Sequence, residues 1–231
     1  WSCGKDSAWA LHTLRQNGVN VTALVTTVTE TFDRVSVHAV RTELLRQQAD
    51  AAGLPLRTLT IPYPCTNEIY ETAVGRLLSE AAEEGVTQMA FGDLFLEDIR
   101  NYRLGLLEGT PFEPLFPIWG TDTRKLAEEM QRAGLRARVT CLDPRVVPKH
   151  LAGSEWDADF LAALPEGVDP CGENGEFHTF AWSGPMFAHD IAVDGGPIEE
   201  RDGFVFADLL PQARQAEARP RPSASPSRAG T

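Results

Sequence analysis

The sequence has few cysteines, no long apolar run and no excess of basic charge. Its four cysteines stand at positions 3, 65, 141 and 171, a spacing that predicts neither a disulfide framework nor a paired-cysteine metal site. No apolar run approaches the roughly 18 residues that cross a bilayer, and no basic and apolar leader opens the sequence. We therefore expect a cytoplasmic protein with reduced thiols and no membrane partner.

The charge balance is acidic. With 33 acidic and 21 basic residues, the formal net charge is -12. A net negative charge disfavours nucleic acid as a partner, although a local basic groove could still bind it. A chain of 231 residues can bury a full core, in one domain or in one domain with a small appendage. Whether it forms a homodimer is left open.

Helix and strand patterns alternate along the first part of the chain. Helical spacing is found at 6–17, from a Ser36 cap to Gly53, from Thr66 to Gly85, at 93–107 and around Leu126. Short apolar strands are predicted at 21–28, 56–61, 86–91 and 135–142. This alternation predicts an α/β fold with a doubly wound, mostly parallel, Rossmann-like sheet. It also predicts a first strand ahead of Trp1.

The pattern changes after Asp143. A short helix around 156–164, a glycine-rich turn and irregular strands predict a smaller C-terminal substrate lobe over 143–210, following a main domain of 1–142. Residues 211–231 are dominated by proline, serine, alanine and arginine and have no apolar periodicity. They predict a disordered tail, because they cannot bury enough surface to offset their ordering entropy. A weak nucleic-acid contact is the alternative for this tail.

The opening stretch, WSCGKDSAWAL, combines a glycine turn with the start of a helix. Such a turn directs free backbone N–H groups and the positive helix end at one point, which favours an anion. Ser2 and Ser7 would add hydroxyl donors and Lys5 a positive charge, enough together for a pyrophosphate-sized group. The sequence does not match the nucleoside-triphosphate-binding loop GxxxxGK[ST], because Asp6 follows Lys5 where that loop has serine or threonine. A capped helix with a chance lysine is the alternative.

The segment FGDLFLEDIRNYR begins where an apolar strand is predicted to end. Asp93 then falls at the carboxyl end of the strand, where open α/β sheets bind ligands, and is a candidate for magnesium or a ligand hydroxyl. Arg103 is a candidate for substrate binding. The alternative for Arg103, as for Glu97, Asp98 and Arg100, is a solvated helix face.

The segment DPCGENGEFHTF holds the third group of candidates. Two glycines frame Glu173 and Asn174, so the backbone can approach a ligand closely. Glu176 and His178 follow with alternate spacing on a strand start. Carboxylates beside a neutral imidazole can bind a cation or move protons. An acidic hairpin turn without chemistry is the alternative.

The stretch SCGKDS resembles the SGGKDS signature of the PP-loop ATP pyrophosphatases, which split ATP between the α and β phosphates. Together the motifs resemble the diphthine-ammonia ligase family, a branch of those enzymes. The matching segments are SCGKDS, 37–56, FGD at 91–93, FPIWGTDT at 116–123 and GENGEFHTF at 172–180.

This resemblance implies an ATP-binding domain over 1–142 and a reaction in which ATP adenylates a carboxylate, pyrophosphate leaves and ammonia displaces AMP. The partners implied are ammonia and a small-molecule or protein-borne carboxylate; the implied cofactors are ATP and Mg²⁺. The implied ATP-binding residues are Ser2, Cys3, Gly4, Lys5, Asp6 and Ser7. The implied catalytic residues are Lys5, Asp93, Glu173 and Glu176, with Mg²⁺ at Asp93. Substrate binding is assigned to Asn174, His178 and Arg103.

The chain departs from the archaeal and eukaryotic ligases in two places. LFLEDIRNYRLGLLEG follows Asp93 where they have a serine- and tyrosine-containing segment, and His178 stands where they have an acid. A substrate other than diphthine therefore stays open. Three other functions also stay open: tRNA thiolation, lysidine synthesis, and a sensor that binds ATP or AMP without turnover. Cys65 and Cys171 are interpreted as small apolar residues, with catalytic thiols as the alternative.

Cys3 stands where the signature has its first glycine. If this position needs a positive φ, the cysteine costs about 1 kcal/mol or more. If the position is only tight, a small side chain is tolerated. A thiol at a helix N-terminus beside Lys5 is also expected to have a lowered pKa, which would make it sensitive to oxidation.

Overall fold

The structure, a computed structural model, describes residues 1–29, 34–35, 40–62 and 64–212. The helices are α1 (Lys5–Gln16), α2 (Thr42–Ala52), α3 (Asn67–Glu83), α4 (Glu97–Leu107), α5 (Thr123–Arg132) and α6 (Ala158–Ala163). The strands are β1 (Leu24–Thr29), β2 (Arg34–Val35), β3 (Leu56–Ile61), β4 (Gln88–Ala90), β5 (Glu113–Leu115), β6 (Arg136–Leu142), β7 (Phe177–Ser183), β8 (Val193–Arg201) and β9 (Phe204–Pro211). Within these ranges, no helix is long and apolar enough to cross a membrane.

Two pairs of parallel strands form the first half of the fold. β1 and β3 pair in parallel from Leu24 opposite Leu56 onward, and α2 connects them. β4 and β5 form the second parallel pair, with α4 between them. The predicted α/β mixture with parallel strands is confirmed. The described strands do not form one sheet, however: β4 and β5 pair separately from β2-β1-β3, and a cavity of about 1250 Å³ is lined by residues of both β1 and β4. The strand predicted ahead of Trp1 stays a prediction.

The second half is an antiparallel sheet in the order β7-β6-β9-β8. The sequence pattern grouped β6 with the parallel strands of 1–142. In the structure β6 instead pairs antiparallel with β7, at Leu142 opposite Phe177, and with β9, at Leu142 opposite Val205. Apolar spacing identifies a strand but carries no information about its partner, which explains the difference. The predicted domain boundaries stay predictions. β9 extends to Pro211, and the predicted tail beyond Gln212 lies outside the described residues.

Two helix starts show how local chemistry sets the boundaries. Thr66 caps α3 as predicted, because its side chain accepts a hydrogen bond from the Ile69 N–H. The next predicted helix, 93–107, begins only at Glu97. The backbone ahead of it is held elsewhere, since the Leu94 N–H donates to Glu173 and the Leu94 carbonyl accepts from Gly120.

α2 also starts later than predicted. It begins at Thr42, with Arg41 in the N-cap position. The predicted cap, Ser36, lies outside the described residues.

The main hydrophobic core joins the N-terminal helix to the C-terminal half. The buried face of α1 includes Trp9 and Leu11 and belongs to the same cluster as Trp156, Phe160 and Phe177. At about 25 cal/mol for each Å² of apolar area buried, such large side chains contribute much of the stabilisation. The core therefore fixes the opening loop against the start of β7.

Candidate active site

The opening loop turns into α1 at Gly4, which has an extended backbone at φ -78° and ψ 168°. The N-cap residue has no side chain to cap this helix, and of the first N–H groups that of Lys5 donates to Thr179 Oγ1 at 3.2 Å. Ser7 Oγ lies 3.0 Å from the Gly4 carbonyl, to which it donates, and 3.3 Å from Ser2 Oγ. The two predicted hydroxyls are thus brought together at the helix end.

The Phe91 to Asp93 segment packs directly on this loop. A Cβ atom at Gly92 would lie 3.3 Å from both the Cα and the N of Ser7. Only a glycine allows this approach without a shift of the backbone. Asp93 is thereby brought beside the helix start, as its position at the end of β4 predicted.

Lys5 is directed into the protein. Its side chain is 2% exposed, and its ammonium lies 2.9 Å from Asp6 Oδ2 and also donates to the Cys171 carbonyl. The rings of Trp156 and Phe177 also contact this ammonium, each with its centroid 5.4 Å away. The predicted contact of Lys5 with phosphate stays a prediction. The observed contacts bind the loop to the turn that carries Glu173.

The charge state of this buried pair follows from its surroundings. Burial alone would lower the pKa of Lys5, but Asp6, Cys171 and Asp169 outweigh burial and raise it. Burial raises the pKa of Asp6, and Lys5 offsets part of this increase. Lys5 is therefore charged at neutral pH.

The charges of two carboxylates beside the loop, Asp6 and Asp93, act on a third, Glu173. Glu173 Oε1 accepts a 2.7 Å hydrogen bond from the Leu94 N–H. Burial, together with the charges of Asp6 and Asp93, raises the pKa of Glu173 to about 7, although the Leu94 hydrogen bond works against the rise. A carboxyl group with a pKa near neutrality suits a group that accepts a proton.

Asp6 and Asp93 each have one buried oxygen without a hydrogen bond, Oδ1 and Oδ2 respectively, in the part of the chain that the structure describes. No group of three or more metal-binding side chains was found there. Mg²⁺ is commonly held by one or two carboxylates plus the phosphates of a substrate. The two unsatisfied oxygens fit this kind of site.

Glu176 and Asn174 shape the turn that carries Glu173. Glu176 is buried, and its Oε1 accepts hydrogen bonds from Asp169 N–H at 3.1 Å and Asn174 Nδ2 at 2.9 Å. Gly172 has φ 71°, and a Cβ there would lie 2.7 Å from the Phe177 carbonyl. The catalytic role predicted for Glu176 and the substrate contact predicted for Asn174 stay predictions.

His178 and Arg103 line the same cavity as the loop. Burial, with a smaller contribution from Lys5, lowers the pKa of His178 to about 4, so the imidazole is neutral near pH 7. The guanidinium of Arg103 lies 3.5 Å from Asp93 Oδ2, measured from Nε. The substrate contacts predicted for both residues stay predictions.

Cys3 has a positive φ of 69° and is fully buried. The position therefore needs a positive φ, and the cysteine carries the strain that a glycine would avoid. The predicted lowering of its pKa is wrong, because burial raises the pKa of the thiol to about 12. Lys5 points toward Asp6 and Cys171 and does not offset this effect. Burial also raises the pKa of Cys171, in agreement with its interpretation as an apolar residue.

Two supporting residues were missed in the sequence. Gln48 is fully buried, and its Nε2 donates to the Cys3 carbonyl at 2.9 Å and to the Ala181 carbonyl at 2.5 Å. Thr179 Oγ1 accepts from the Lys5 N–H at 3.2 Å. A signal for Gln48 was present, since it interrupts the buried apolar face of α2.

Two family models match most of the chain. The diphthamide synthase N-terminal domain matches residues 1–104, and the diphthamide synthase C-terminal domain matches residues 122–208. The chain belongs to the diphthamide synthase family, within the PP-loop ATP pyrophosphatases.

Curated relatives agree with this assignment. The diphthine-ammonia ligase of Danio rerio is 28% identical, over 90% of this chain and 91% of that protein. The diphthine-ammonia ligases of Bos taurus and Homo sapiens are each 26% identical, over 90% of this chain and 86% of theirs. The similarity therefore extends over both halves of the fold.

Proposed function

We propose that this protein is an ATP-dependent ligase that converts a carboxylate into an amide. In the first step a carboxylate oxygen attacks the α phosphorus of ATP, which gives an acyl adenylate and releases pyrophosphate. In the second step ammonia attacks the acyl carbon, AMP leaves and one proton is lost from nitrogen. ATP and ammonia are suggested by the family and by the names of its curated relatives.

The opening loop is suited to bind the phosphates. The N–H groups that follow Lys5 at the start of α1 and the hydroxyls of Ser2 and Ser7 can hold the departing pyrophosphate. Asp6 and Asp93 would hold Mg²⁺, which would stabilise the charge that develops on the phosphate oxygens. Lys5 keeps the loop in place through its contacts with Asp6 and Cys171.

The position of Glu173 carries the proposal. Its carboxylate is fixed by the Leu94 N–H, and its pKa of about 7 is raised by burial and by the neighbouring Asp6 and Asp93. A buried carboxylate with this pKa can hold ammonium before the reaction and accept the proton that ammonia loses. His178, which lines the same cavity, is neutral near pH 7 and adds no competing positive charge.

The test is to measure which phosphate bond of ATP is broken. The purified protein would be incubated with Mg²⁺, ammonium and ATP labelled at the α phosphate, with a panel of carboxylic acids and a diphthine-bearing protein as acceptors. We expect AMP and pyrophosphate in equal amounts, with amide formed only when ammonium is present. A sensor without turnover would bind ATP and release neither product.

Two variants separate the roles of the loop and the turn. Asp93→Asn is expected to abolish pyrophosphate release, because it removes a charged metal ligand. Glu173→Gln is expected to slow amide formation more than adenylation. Glu166→Gln, at an exposed position ahead of the turn, is the matched control and should behave like the parent protein.

A further inference from the structure

The turn that carries Glu173 has little restraint from its own residues. Gly172 precedes Glu173 with φ 71°, and Gly175 follows with φ 85°. Glycine has more conformational freedom to lose than any other residue, so a segment with two glycines needs further contacts to hold one conformation. The Glu173 carboxylate nevertheless has a defined place, 2.7 Å from the Leu94 N–H. Its position therefore depends on contacts that hold the turn.

Asp169 supplies such a contact to the backbone of Glu173. Its Oδ2 accepts a hydrogen bond of 2.9 Å from the Glu173 N–H. Asp169 is only 8% exposed, so water competes little for this carboxylate. A hydrogen bond to a carboxylate is roughly twice as strong as one between neutral groups, and a low local dielectric strengthens it further. The Asp169 side chain thus holds the residue whose carboxylate the proposed reaction uses.

Asp169 is itself fixed to the C-terminal half of the fold. Its N–H donates to Glu176 Oε1 at 3.1 Å. The next carbonyl along the chain, that of Pro170, accepts a 3.1 Å hydrogen bond from the Trp156 indole. Trp156 is buried and belongs to the main hydrophobic core. A continuous series of contacts therefore runs from the core through Asp169 to Glu173.

Asp169 lies behind the site rather than in it. Gly172 and Glu173 line the cavity that contains the opening loop, whereas Asp169 is not among its lining residues in the part of the chain that the structure describes. A substrate in this cavity would meet the carboxylate of Glu173 and not that of Asp169. Any effect of Asp169 on the reacting groups must therefore pass through another residue.

We infer that Asp169 is a positioning residue: its carboxylate binds the Glu173 N–H and thereby keeps the Glu173 carboxylate at the Leu94 N–H. The catalytic consequence rests on the proposed ligase function, in which Glu173 accepts the proton that ammonia loses. A displaced base loses rate because a proton is transferred only within hydrogen-bond reach. Removing the contact should therefore slow amide formation and leave adenylation, which does not use Glu173, intact.

The position of Glu173 can be measured without the reaction, by hydrogen exchange of the Leu94 N–H in NMR spectra of the protein. Glu173→Ala gives the exchange rate of this N–H without its acceptor. Asp169→Ala, which leaves Glu173 present, should raise the rate at least about tenfold toward that value, because the carboxylate leaves the N–H part of the time. Asp169→Asn should reverse most of this change, since its amide oxygen accepts the same hydrogen bond.

Two substitutions separate this hydrogen bond from other effects. The charge of Asp169 also contributes to the raised pKa values of Lys5 and Asp6, and Asp169→Asn removes the charge while it keeps the acceptor. Asp157→Ala is the matched control, because Asp157 Oδ1 accepts a 2.9 Å hydrogen bond from the Phe160 N–H at the start of α6. It removes an aspartate acceptor of the same kind from the same half of the fold, and it should change neither amide formation nor hydrogen exchange in the site.

The kinetic test measures the two steps separately. With an accepted carboxylic acid, Asp169→Ala should lower kcat/KM for ammonium about tenfold to a hundredfold, with single-turnover pyrophosphate release within about twofold of the parent. Asp169→Asn should recover most of the loss. In the Glu173→Gln background, Asp169→Ala should cause no further loss of amide formation, because a residue that acts through Glu173 has no effect once that base is absent.

The inference is overturned if Asp169→Ala leaves the Leu94 exchange rate as in the parent, if Asp157→Ala slows amide formation equally, or if the losses from Asp169→Ala and Glu173→Gln are additive. The outcome for the proposed function is separate. A parent protein that releases no pyrophosphate would contradict the ligase, and hydrogen exchange at Leu94 would then decide the role of Asp169 by itself. Pyrophosphate release and amide formation that are both indifferent to Asp169→Ala would support the ligase and contradict the positioning role.

Discussion

Replacing Lys5 with methionine tests whether this side chain fastens the opening loop to the C-terminal half. The Lys5 ammonium lies 2.9 Å from Asp6 Oδ2, the lysine side chain is 2% exposed and that of Asp6 is 25% exposed. Methionine fills a similar volume but leaves Asp6 as an uncompensated charge. Breaking a buried pair in this way costs roughly 3–5 kcal/mol, and the partial exposure of Asp6 points to the lower end, about 3 kcal/mol.

A double-mutant cycle isolates the interaction. Urea unfolding would be followed by tryptophan fluorescence for Lys5→Met, Asp6→Asn and the double variant. We expect the double variant to be more stable than Lys5→Met, with a coupling energy of at least about 1 kcal/mol. Lys125→Met, at an exposed position of α5, should lie within about 0.5 kcal/mol of the parent protein.

The contribution of Lys5 to the free energy of unfolding depends on pH, and the sign of this dependence is fixed by its raised pKa. Because the pKa of Lys5 is raised above 10.5, its contribution to stability is complete below that pH and is lost as the pH rises through the higher pKa of the folded state. A Lys5→Met variant as stable as the parent, with no coupling to Asp6, would refute the reasoning.

Three further predictions rest on the same contacts. If Glu173 accepts a proton, the rate of amide formation at a fixed concentration of free ammonia should rise with pH as this carboxyl ionises, at a pH no higher than about 7 because Mg²⁺ at Asp6 and Asp93 would lower its pKa, and Glu173→Gln should remove this rise and lower the rate roughly 10²–10⁴-fold. Cys3→Gly should be more stable than Cys3→Ala by about 0.5–1 kcal/mol in urea unfolding, since only glycine relieves the positive φ; equal stabilities would contradict the strain. Gln48→Leu should cost about 1–3 kcal/mol, because it removes the hydrogen bonds of the buried amide to the Cys3 and Ala181 carbonyls and from the Trp1 indole N–H, and an unchanged unfolding midpoint would contradict this role.

Local features of the fold were predictable from the sequence. Leu56 to Ile61 was predicted as a strand and matches β3, and the Thr66 cap of α3 is present. The cap depends on a hydroxyl three positions from an N–H, and the strand prediction depends on the composition of the segment itself. The position of Asp93 just after the end of a strand was also predicted, and β4 ends at Ala90.

Contacts between distant segments were not predictable. The ammonium of Lys5 donates a hydrogen bond to the Cys171 carbonyl, which is 166 positions away in the sequence. No rule based on sequence spacing predicts such a contact. For the same reason β6 was grouped with the parallel strands, although its partners are β7 and β9. The pKa of Cys3 was predicted from its neighbours in sequence, whereas burial by residues distant in sequence determines it.

The most direct test of the proposed ligase activity is the product analysis of ATP labelled at the α phosphate. With Mg²⁺, ammonium and an accepted carboxylic acid, we predict AMP, pyrophosphate and amide in equal amounts from the parent protein, and no pyrophosphate from Asp93→Asn. Formation of ADP and inorganic phosphate, or equal pyrophosphate release by the parent and Asp93→Asn, would contradict the proposal.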